Sequence, residues 1–262
     1  MDISVSASIR KLVEGRPRDG SLGTLEHLAT VARYEAGESV YRSSDAIDHW
    51  YRIIRGAARK SALSRDGRRY IVDFIFPGDL FGFRATGARH FCVETLVPGT
   101  LIARYPRRGV ERLADYHPEI AHCIREAAFE SIARLQSHMI SLGRTSALER
   151  VCAFLLEVAD RSHTAPTHAV SLPMSRYDIA DYLGLAVETV SRCLTELRGR
   201  RAIAFRSVRQ VRIRDRSALE EVADSLTEQP AHRCGEAPWS SPTMPALIKT
   251  TNIKVTPIAI RP

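Results

Sequence analysis

The chain has 262 residues, a formal net charge of +8 and 44% hydrophobic residues. This length gives room for two domains with their own cores, and the composition is that of a globular protein. No apolar run approaches the roughly 18 residues of a membrane span, and residues 1–15 lack the long apolar stretch of a secretion signal. We therefore expect a cytoplasmic protein that makes no membrane contact.

The first half of the sequence has a β pattern. From residue 28 to 106, short β-type runs alternate with turns that are marked by glycines at 37, 56, 67, 78, 82, 87 and 99. Such spacing is typical of a small antiparallel sandwich or roll. Residues 1–27 would form an N-terminal arm in front of it.

After Pro106 the pattern becomes helical, and residues 107–143 are assigned to a long helical region. Its apolar residues recur every three or four positions: Ile120, Ile124, Ala128, Ile132, Leu135, Met139 and Leu142. This seam fits a two-stranded coiled coil, but a helix packed within its own chain has the same stripe. Ser146 and Glu149 then form a capping signal that opens the next helix and the next domain, residues 144–226.

A helix-turn-helix is indicated between Leu172 and Ile203. Ser175 followed by Asp178 is a capping signal, so a helix should open at Arg176 and bury Ile179, Ala180 and Leu183. Gly184 suits the tight turn between two helices. The second helix should start near Val187, with Ala186 as a weak N-cap.

The second helix has a polar outer face. Val190, Leu194 and Leu197 recur at its inner positions, which leaves four residues outside that are suited to reading bases: Val187, Glu188, Ser191 and Arg192. Arginine donates a bidentate pair to guanine, glutamate accepts from cytosine, serine bonds to either, and valine contacts the thymine methyl group. An ordinary helical hairpin with a solvated face is the alternative.

Arginines accumulate around and after this helix. Between positions 192 and 216 they include Arg198, Arg200, Arg201, Arg206, Arg209, Arg212, Arg214 and Arg216. Such a cluster predicts a surface that contacts DNA phosphates, with Arg200 and Arg201 among the contacts. Residues 202–214 alternate like a hairpin and should form a wing, 163–168 a loop, and the proline-rich residues 227–262 a disordered tail.

The segment AVETVSR, residues 186 to 192, resembles the recognition helix of the Crp/Fnr family of transcription regulators, in particular its FixK-like branch. The resemblance implies an α+β fold with an N-terminal cyclic-nucleotide-binding-like jelly roll, a long dimerisation helix and a C-terminal winged helix-turn-helix. In that branch the set matched by Glu188, Ser191 and Arg192 reads a palindrome of the TTGAT-N4-ATCAA type. The phosphate contacts carried over are Ser175, Arg176 and Thr189.

The same resemblance implies a function. The chain would be a homodimeric, sequence-specific activator that binds double-stranded DNA, recruits RNA polymerase and serves low-oxygen-related gene control. The family context also favours the dimer interpretation of the long helix, because a palindromic site mirrors a two-fold protein.

No cofactor is predicted. The family's nucleotide pocket needs a Gly-Glu for the ribose and an Arg-Ser or Arg-Thr for the phosphate. The aligned stretch here is Gly78-Asp79-Leu80-Phe81-Gly82-Phe83, so an apolar ring replaces the acceptor, and His90 follows Arg89. An iron–sulfur cluster needs N-terminal cysteines, yet the five cysteines are Cys92, Cys123, Cys152, Cys193 and Cys234. They contain no C-x-x-C pair that would suggest zinc or a disulfide framework. Haem has candidate ligands in His27, His49, His90 and Cys92, so a ligand-gated Crp-type regulator is the alternative.

Two further hypotheses concern chemistry. Cys193 lies beside Arg192, where oxidation would bring bulk and charge to the DNA; alternatively it packs beside Val190 and Leu197. A cupin-like metal enzyme would need a His-x-His pair, and a Ser-His-Asp hydrolase a Gly-x-Ser-x-Gly elbow. The sequence contains neither motif, so an enzyme is not expected.

Overall fold

The computed structural model describes residues 25, 27–45, 48–83, 91–143, 146–161, 169–207 and 209–223. All of them belong to residues 1–226, the first of two units into which the chain divides. The predictions for the N-terminal arm up to residue 24, for Arg89 and His90, for the loop 163–168 and for the tail 227–262 lie outside the described residues.

The predicted roll is confirmed as two four-stranded antiparallel sheets, with strand orders β1-β8-β3-β6 and β2-β7-β4-β5. Its strands are β1 Thr30–Tyr34, β2 Ser39–Tyr41, β3 His49–Arg55, β4 Ala58–Leu63, β5 Arg69–Ile75, β6 Leu80–Phe81, β7 Cys92–Thr95 and β8 Thr100–Pro106. Gly56 turns β3 into β4 with a φ of 99°. A Cβ atom there would come within 3.0 Å of the Thr100 backbone, so this turn requires glycine.

Two helices follow the roll, α1 Arg107–Tyr116 and α2 Pro118–Leu142. The first turns of α2 pack on the outer face of the roll, where Ile120 is fully buried together with Trp50, Tyr105 and Val110. Ile124 packs against the same cluster. The predicted seam is therefore wrong at its N-terminal end, because Ile120 belongs to the core of its own chain.

The rest of α2 carries an exposed apolar face. Ala128 is half-buried, and beyond it the exposed apolar residues are Phe129, Ile132, Leu135, Met139, Ile140 and Leu142. Phe129 and Ile140 were missing from the predicted seam. None of the described helices combines the length and low polarity needed to cross a lipid bilayer.

A winged helix-turn-helix completes the described chain. It consists of α3 Ala147–Arg161, β9 Ala169–Ser171, α4 Arg176–Leu183, α5 Val187–Gly199, β10 Ile203–Ser207, β11 Gln210–Ile213 and α6 Arg216–Ala223. The three strands form an antiparallel sheet in the order β10-β11-β9. The predicted opening of α3 is confirmed, because the Ser146 hydroxyl accepts a hydrogen bond of 3.1 Å from the amide of Glu149.

The roll and the winged domain share one hydrophobic core. Roll residues pack in the same cluster as the inner faces of α3, α4 and α5; these are Ala57, Ile71, Phe74, Phe76 and Leu96. The ring of Phe74 lies 6.0 Å from that of Phe154 on α3 and 5.1 Å from that of Tyr182 on α4. Rings at these separations are in attractive contact. The two domains therefore have a packed interface and not only a covalent linker.

Candidate nucleic-acid interface

The first helix of the motif begins and ends where the sequence predicts. The Ser175 hydroxyl accepts from the amide of Asp178 at 3.1 Å, and the Asp178 carboxylate accepts from the amide of Ser175 at 2.9 Å. This reciprocal pair satisfies two amides that the helix start leaves open. Gly184 ends α4 in the left-handed conformation, with a φ of 63°, and α5 follows after two residues.

The second helix presents a polar face to solvent. Glu188, Ser191 and Arg192 are exposed, while Val190 and Leu194 on the opposite side are buried. The Arg192 side chain makes no hydrogen bond or ion pair with any residue that the structure describes, so its guanidinium is free to bind a ligand. Glu188 lies in the first turn, where the helix dipole favours an acidic side chain.

Two of the predicted base-reading residues differ in detail from expectation. Val187 is half-buried and packs against the core, so only part of its side chain reaches the outer face. The Ser191 hydroxyl donates a 2.9 Å hydrogen bond to the carbonyl of Val187. Ser191 can therefore accept from a base without breaking this bond, but it can donate only after breaking it.

The predicted phosphate contacts at the starts of α4 and α5 are partly engaged within the chain. The Ser175 hydroxyl also donates to the Asp178 carboxylate at 2.8 Å, and Thr189 is half-buried. The Arg176 guanidinium lies 5.1 Å from the ring centroid of Phe205 on the wing, and its Nη1 is buried without a partner among the described residues. Burial holds the pKa of Arg176 below its ordinary value.

Phe205 is a residue that the sequence analysis missed. Its only signal in the sequence is an aromatic residue within an alternating wing strand. The cation–π contact fixes the plane of the Arg176 guanidinium against the wing.

The arginines of the wing face outward because of strand alternation. In β11, Val211 and Ile213 point into the core while Arg212 and the following Arg214 are exposed. Seven exposed arginines of the region have no carboxylate partner among the described residues: Arg192, Arg198, Arg201, Arg206, Arg209, Arg212 and Arg214. They give the exposed surfaces of α5, the turn after it and the wing a strong positive charge.

The turn after α5 holds the other two predicted phosphate contacts in different ways. Arg200 forms an ion pair with Glu196 one turn earlier. Arg201 has a φ of 60° and is the only described residue other than glycine with a positive φ. This conformation costs an L-residue about 1–2 kcal/mol, and such strain is common at functional sites.

Comparison with known proteins identifies this arrangement. A sequence model of the cyclic nucleotide-binding domain matches residues 31–117, and one of the Crp-like helix-turn-helix domain matches residues 149–222. The nitrogen fixation regulation protein FixK of Rhizobium meliloti is 38% identical over 194 residues, which are 74% of this chain and 87% of that protein. The chain belongs to the Crp/Fnr family of transcription regulators.

Other Crp/Fnr proteins agree with this assignment. FixK of Azorhizobium caulinodans is 39% identical over 198 residues, covering 74% of this chain and 79% of that protein. The solved structure of FixK2 from Bradyrhizobium japonicum superposes with a TM-score of 0.69 at 34% identity, covering 74% of this chain and 96% of that one.

These matches confirm the main predictions from the sequence. The fold is that of Crp/Fnr proteins, the branch is FixK-like, and the chain is a DNA-binding transcription regulator of the activator type rather than an enzyme.

Cys193 packs into the core of the Crp-like domain beside Val190 and Leu197 and is only 6% exposed. Burial, together with the nearby Glu196 carboxylate, raises the pKa of its thiol. Oxidants attack the thiolate, which this environment disfavours. The structure therefore supports the packing interpretation of Cys193 over the redox hypothesis.

Proposed function

We propose that the chain activates transcription by binding an Fnr-type palindrome, TTGAT-N4-ATCAA or a close variant. The observation that carries this proposal is the joint exposure of Glu188, Ser191 and Arg192 on one face of α5. A bidentate arginine selects guanine and a glutamate selects cytosine, which is the pairing expected at a G·C pair within each half-site. The six other unpaired arginines around α5 and the wing would contact the flanking phosphates.

We propose a homodimer as the binding form. The C-terminal two thirds of α2 expose six large apolar residues, and a helix with such a face is stabilised by burying it against a second copy. A two-fold dimer would place its two α5 helices in successive major grooves, about 34 Å apart. The palindrome would then match the symmetry of the protein.

The regulatory setting is proposed from the relatives. Three similar proteins carry the name nitrogen fixation regulation protein FixK, and another is the transcriptional activatory protein AadR of Rhodopseudomonas palustris. By this similarity the chain would act in the cytoplasm, bind upstream of promoters for low-oxygen metabolism and recruit RNA polymerase there.

We propose that DNA binding needs no nucleotide. Phe81 stacks on Tyr51 with a ring separation of 5.3 Å, and Tyr41 lies 5.4 Å from Tyr51. These three rings pack between the two sheets of the roll. The stretch aligned with the family's nucleotide pocket, residues 78–83, has an apolar ring in place of the ribose acceptor. An apolar ring at that position supplies no hydrogen-bond acceptor for a hydroxyl group.

The test is selection of bound DNA from a random pool with purified, metal-free, full-length protein. We expect enrichment of the TTGAT-type palindrome without any added ligand. Arg192→Ala should bind the selected site about 10- to 100-fold more weakly and lose the guanine preference, whereas Arg112→Ala, an exposed arginine on α1, should bind as the wild type does. Enrichment of no sequence, or enrichment only after a nucleotide or haem is added, would refute the proposal.

A further inference from the structure

A group of ion pairs joins the roll to the first helix of the helix-turn-helix. Arg59 on β4 contacts Asp178 through Nη1 and Oδ1 at 2.7 Å. Arg69 on β5 contacts the same Oδ1 through Nη2 at 2.9 Å, and Oδ2 of Asp181 at 2.7 Å. Two arginines of the β4–β5 hairpin thus hold two carboxylates of α4.

The roll holds its side of this junction rigidly. Arg59 and Glu94 are directly opposite each other on β4 and β7. The Glu94 carboxylate accepts hydrogen bonds of 3.1 Å from Nε and 2.9 Å from Nη2 of Arg59. This fork leaves Nη1 of Arg59 for Asp178 and fixes its direction. The guanidinium is therefore oriented by the sheet before α4 contributes anything.

Asp178 is the buried centre of the junction, with its side chain only 3% exposed. Burial alone would raise the pKa of Asp178, but the hydrogen bonds from Ser175 and the charges of Arg59 and Arg69 outweigh it and hold the pKa below the ordinary value. A buried, ionised carboxylate is costly unless all its partners remain in place. The junction therefore resists any movement of α4 away from the hairpin.

A second group of ion pairs holds the preceding helix of the same domain. Arg161 at the end of α3 contacts Asp79 at 2.8 Å and Asp73 at 3.4 Å, and Arg134 of α2 lies 3.6 Å from Asp73. These side chains are all less than 20% exposed. Because α3 and α4 are each bound to the roll, the winged domain cannot rotate about either attachment alone.

We propose that Arg59 and Arg69 are positioning residues for DNA reading, which hold α4, and through the tight turn at Gly184 also α5, in the orientation that binds the operator. This inference rests on the proposed function and explains how the chain would bind DNA without a ligand. Neither group of ion pairs involves Glu188, Ser191 or Arg192, so the fixed orientation leaves the outer face of α5 open.

The experiment is a double-mutant cycle in the full-length protein with Arg69→Gln, Asp181→Asn and the double variant. Asp181 is used because Asp178 also caps α4, so its replacement would remove capping hydrogen bonds as well as ion pairs. Arg33→Gln, which breaks an exposed ion pair with Glu35 on the roll, is the matched control. Affinities for the selected operator and for a scrambled duplex of equal length are measured at the same salt concentration.

We expect Asp181→Asn to weaken operator binding about threefold and Arg69→Gln about tenfold, with the double variant no weaker than Arg69→Gln. Binding to the scrambled duplex should change less than twofold, because the phosphate-contacting arginines are intact, and the control should match the wild type. The positioning role would be overturned if the affinity fell equally for both duplexes. It would also be overturned if the affinity losses of the two single variants multiplied in the double variant.

Hydrogen exchange without DNA tests the junction separately. The amides of α4 should exchange faster in Arg69→Gln than in the wild type or Arg33→Gln, and unchanged exchange would overturn the proposal. A wild-type protein that shows no sequence preference would instead remove the proposed function itself.

Discussion

The imidazole of His138 lies flat against the phenol ring of Tyr182, with the ring centroids 3.8 Å apart and the planes inclined by 11°. His138 belongs to α2 and Tyr182 to α4, and the Tyr182 hydroxyl donates a 3.2 Å hydrogen bond to Glu157 of α3. Side chains of three helices therefore meet at this point. Burial lowers the pKa of His138 and raises the pKa values of Glu157 and Tyr182, so a neutral imidazole is favoured there.

His138 should make the fold sensitive to acid. A histidine whose pKa is lower in the folded state than in the unfolded chain costs stability as the pH falls below about 6.5. The raised pKa of Glu157 acts in the opposite sense, and Arg134, one turn earlier on α2, opposes a second positive charge. In His138→Phe, which keeps the stack, the free energy of unfolding should fall less between pH 7.5 and 5.5 than in the wild type.

Denaturant titrations at the two pH values measure this difference. The exposed His122→Gln should retain the pH dependence of the wild type. At pH 7.5, the free energy of unfolding of His138→Phe should be equal to that of the wild type or higher by up to about 1 kcal/mol. The reason is that Nδ1 of His138 is buried without a partner among the described residues. Equal pH dependence in His138→Phe and the wild type would contradict the assignment.

Arg201 should lower the stability of the fold and raise its affinity for DNA. Its positive φ is strained, so Arg201→Gly should raise the free energy of unfolding by about 0.5 kcal/mol, the relief being partly offset by the flexibility of glycine in the unfolded chain. If Arg201 contacts a phosphate, the same variant should lower the slope of log affinity against log salt by about 1. Arg201→Lys keeps the charge and the strain, so both quantities should stay close to wild type. An unchanged salt dependence in Arg201→Gly would remove the phosphate contact.

The two ends of α2 should respond differently to truncation. Ile120 is fully buried, so Ile120→Ala should cost about 2–5 kcal/mol of unfolding free energy. Met139 is 72% exposed in the single chain, so Met139→Ala should leave the stability of the monomer nearly unchanged and weaken dimerisation, as measured by sedimentation equilibrium. A dimer dissociation constant that is unaffected by Met139→Ala would place the dimer contact elsewhere.

Cys193 should react slowly with alkylating agents in the folded protein. Iodoacetamide requires a thiolate and access. Burial raises the pKa of the Cys193 thiol and restricts access to it, whereas Cys92 is half-buried. Peptide mass spectrometry of a time course should show Cys92 modified before Cys193, and the two rates should become similar in urea. Peroxide is then expected to affect operator binding of the wild type and of Cys193→Ser equally. Labelling of folded Cys193 as fast as Cys92 would restore the redox hypothesis.

Local signals in the sequence predicted local structure correctly. The capping pair Ser175 and Asp178 and the turn residue Gly184 lie within ten residues of one another, and each has a conformational preference of its own, so α4 and the start of α5 were predictable. The same holds for the strands of the roll, whose turns are marked by glycines. Short-range hydrogen bonding and backbone preference are properties that a sequence window contains.

Contacts between distant segments were not predictable in this way. Asp178 is identifiable as a cap, but nothing near it indicates Arg59 or Arg69, which are 119 and 109 residues away. The stripe on α2 has one period throughout, yet Ile120 is buried by the roll and Met139 is exposed. Periodicity shows which side of a helix is apolar, and only the tertiary fold shows what covers it.

Phe74 belongs to a strand of the roll, but its ring completes the interior of the winged domain. Transplanting that domain onto the roll of a related regulator would leave a hole at Phe74 unless the recipient supplies an aromatic side chain of similar size. Conversely, a random mutation in the roll can abolish gene activation although the altered residue contacts neither a nucleotide nor a residue of the recognition helix that reads DNA. In genetic screens such mutants would be mistaken for defects in signal sensing.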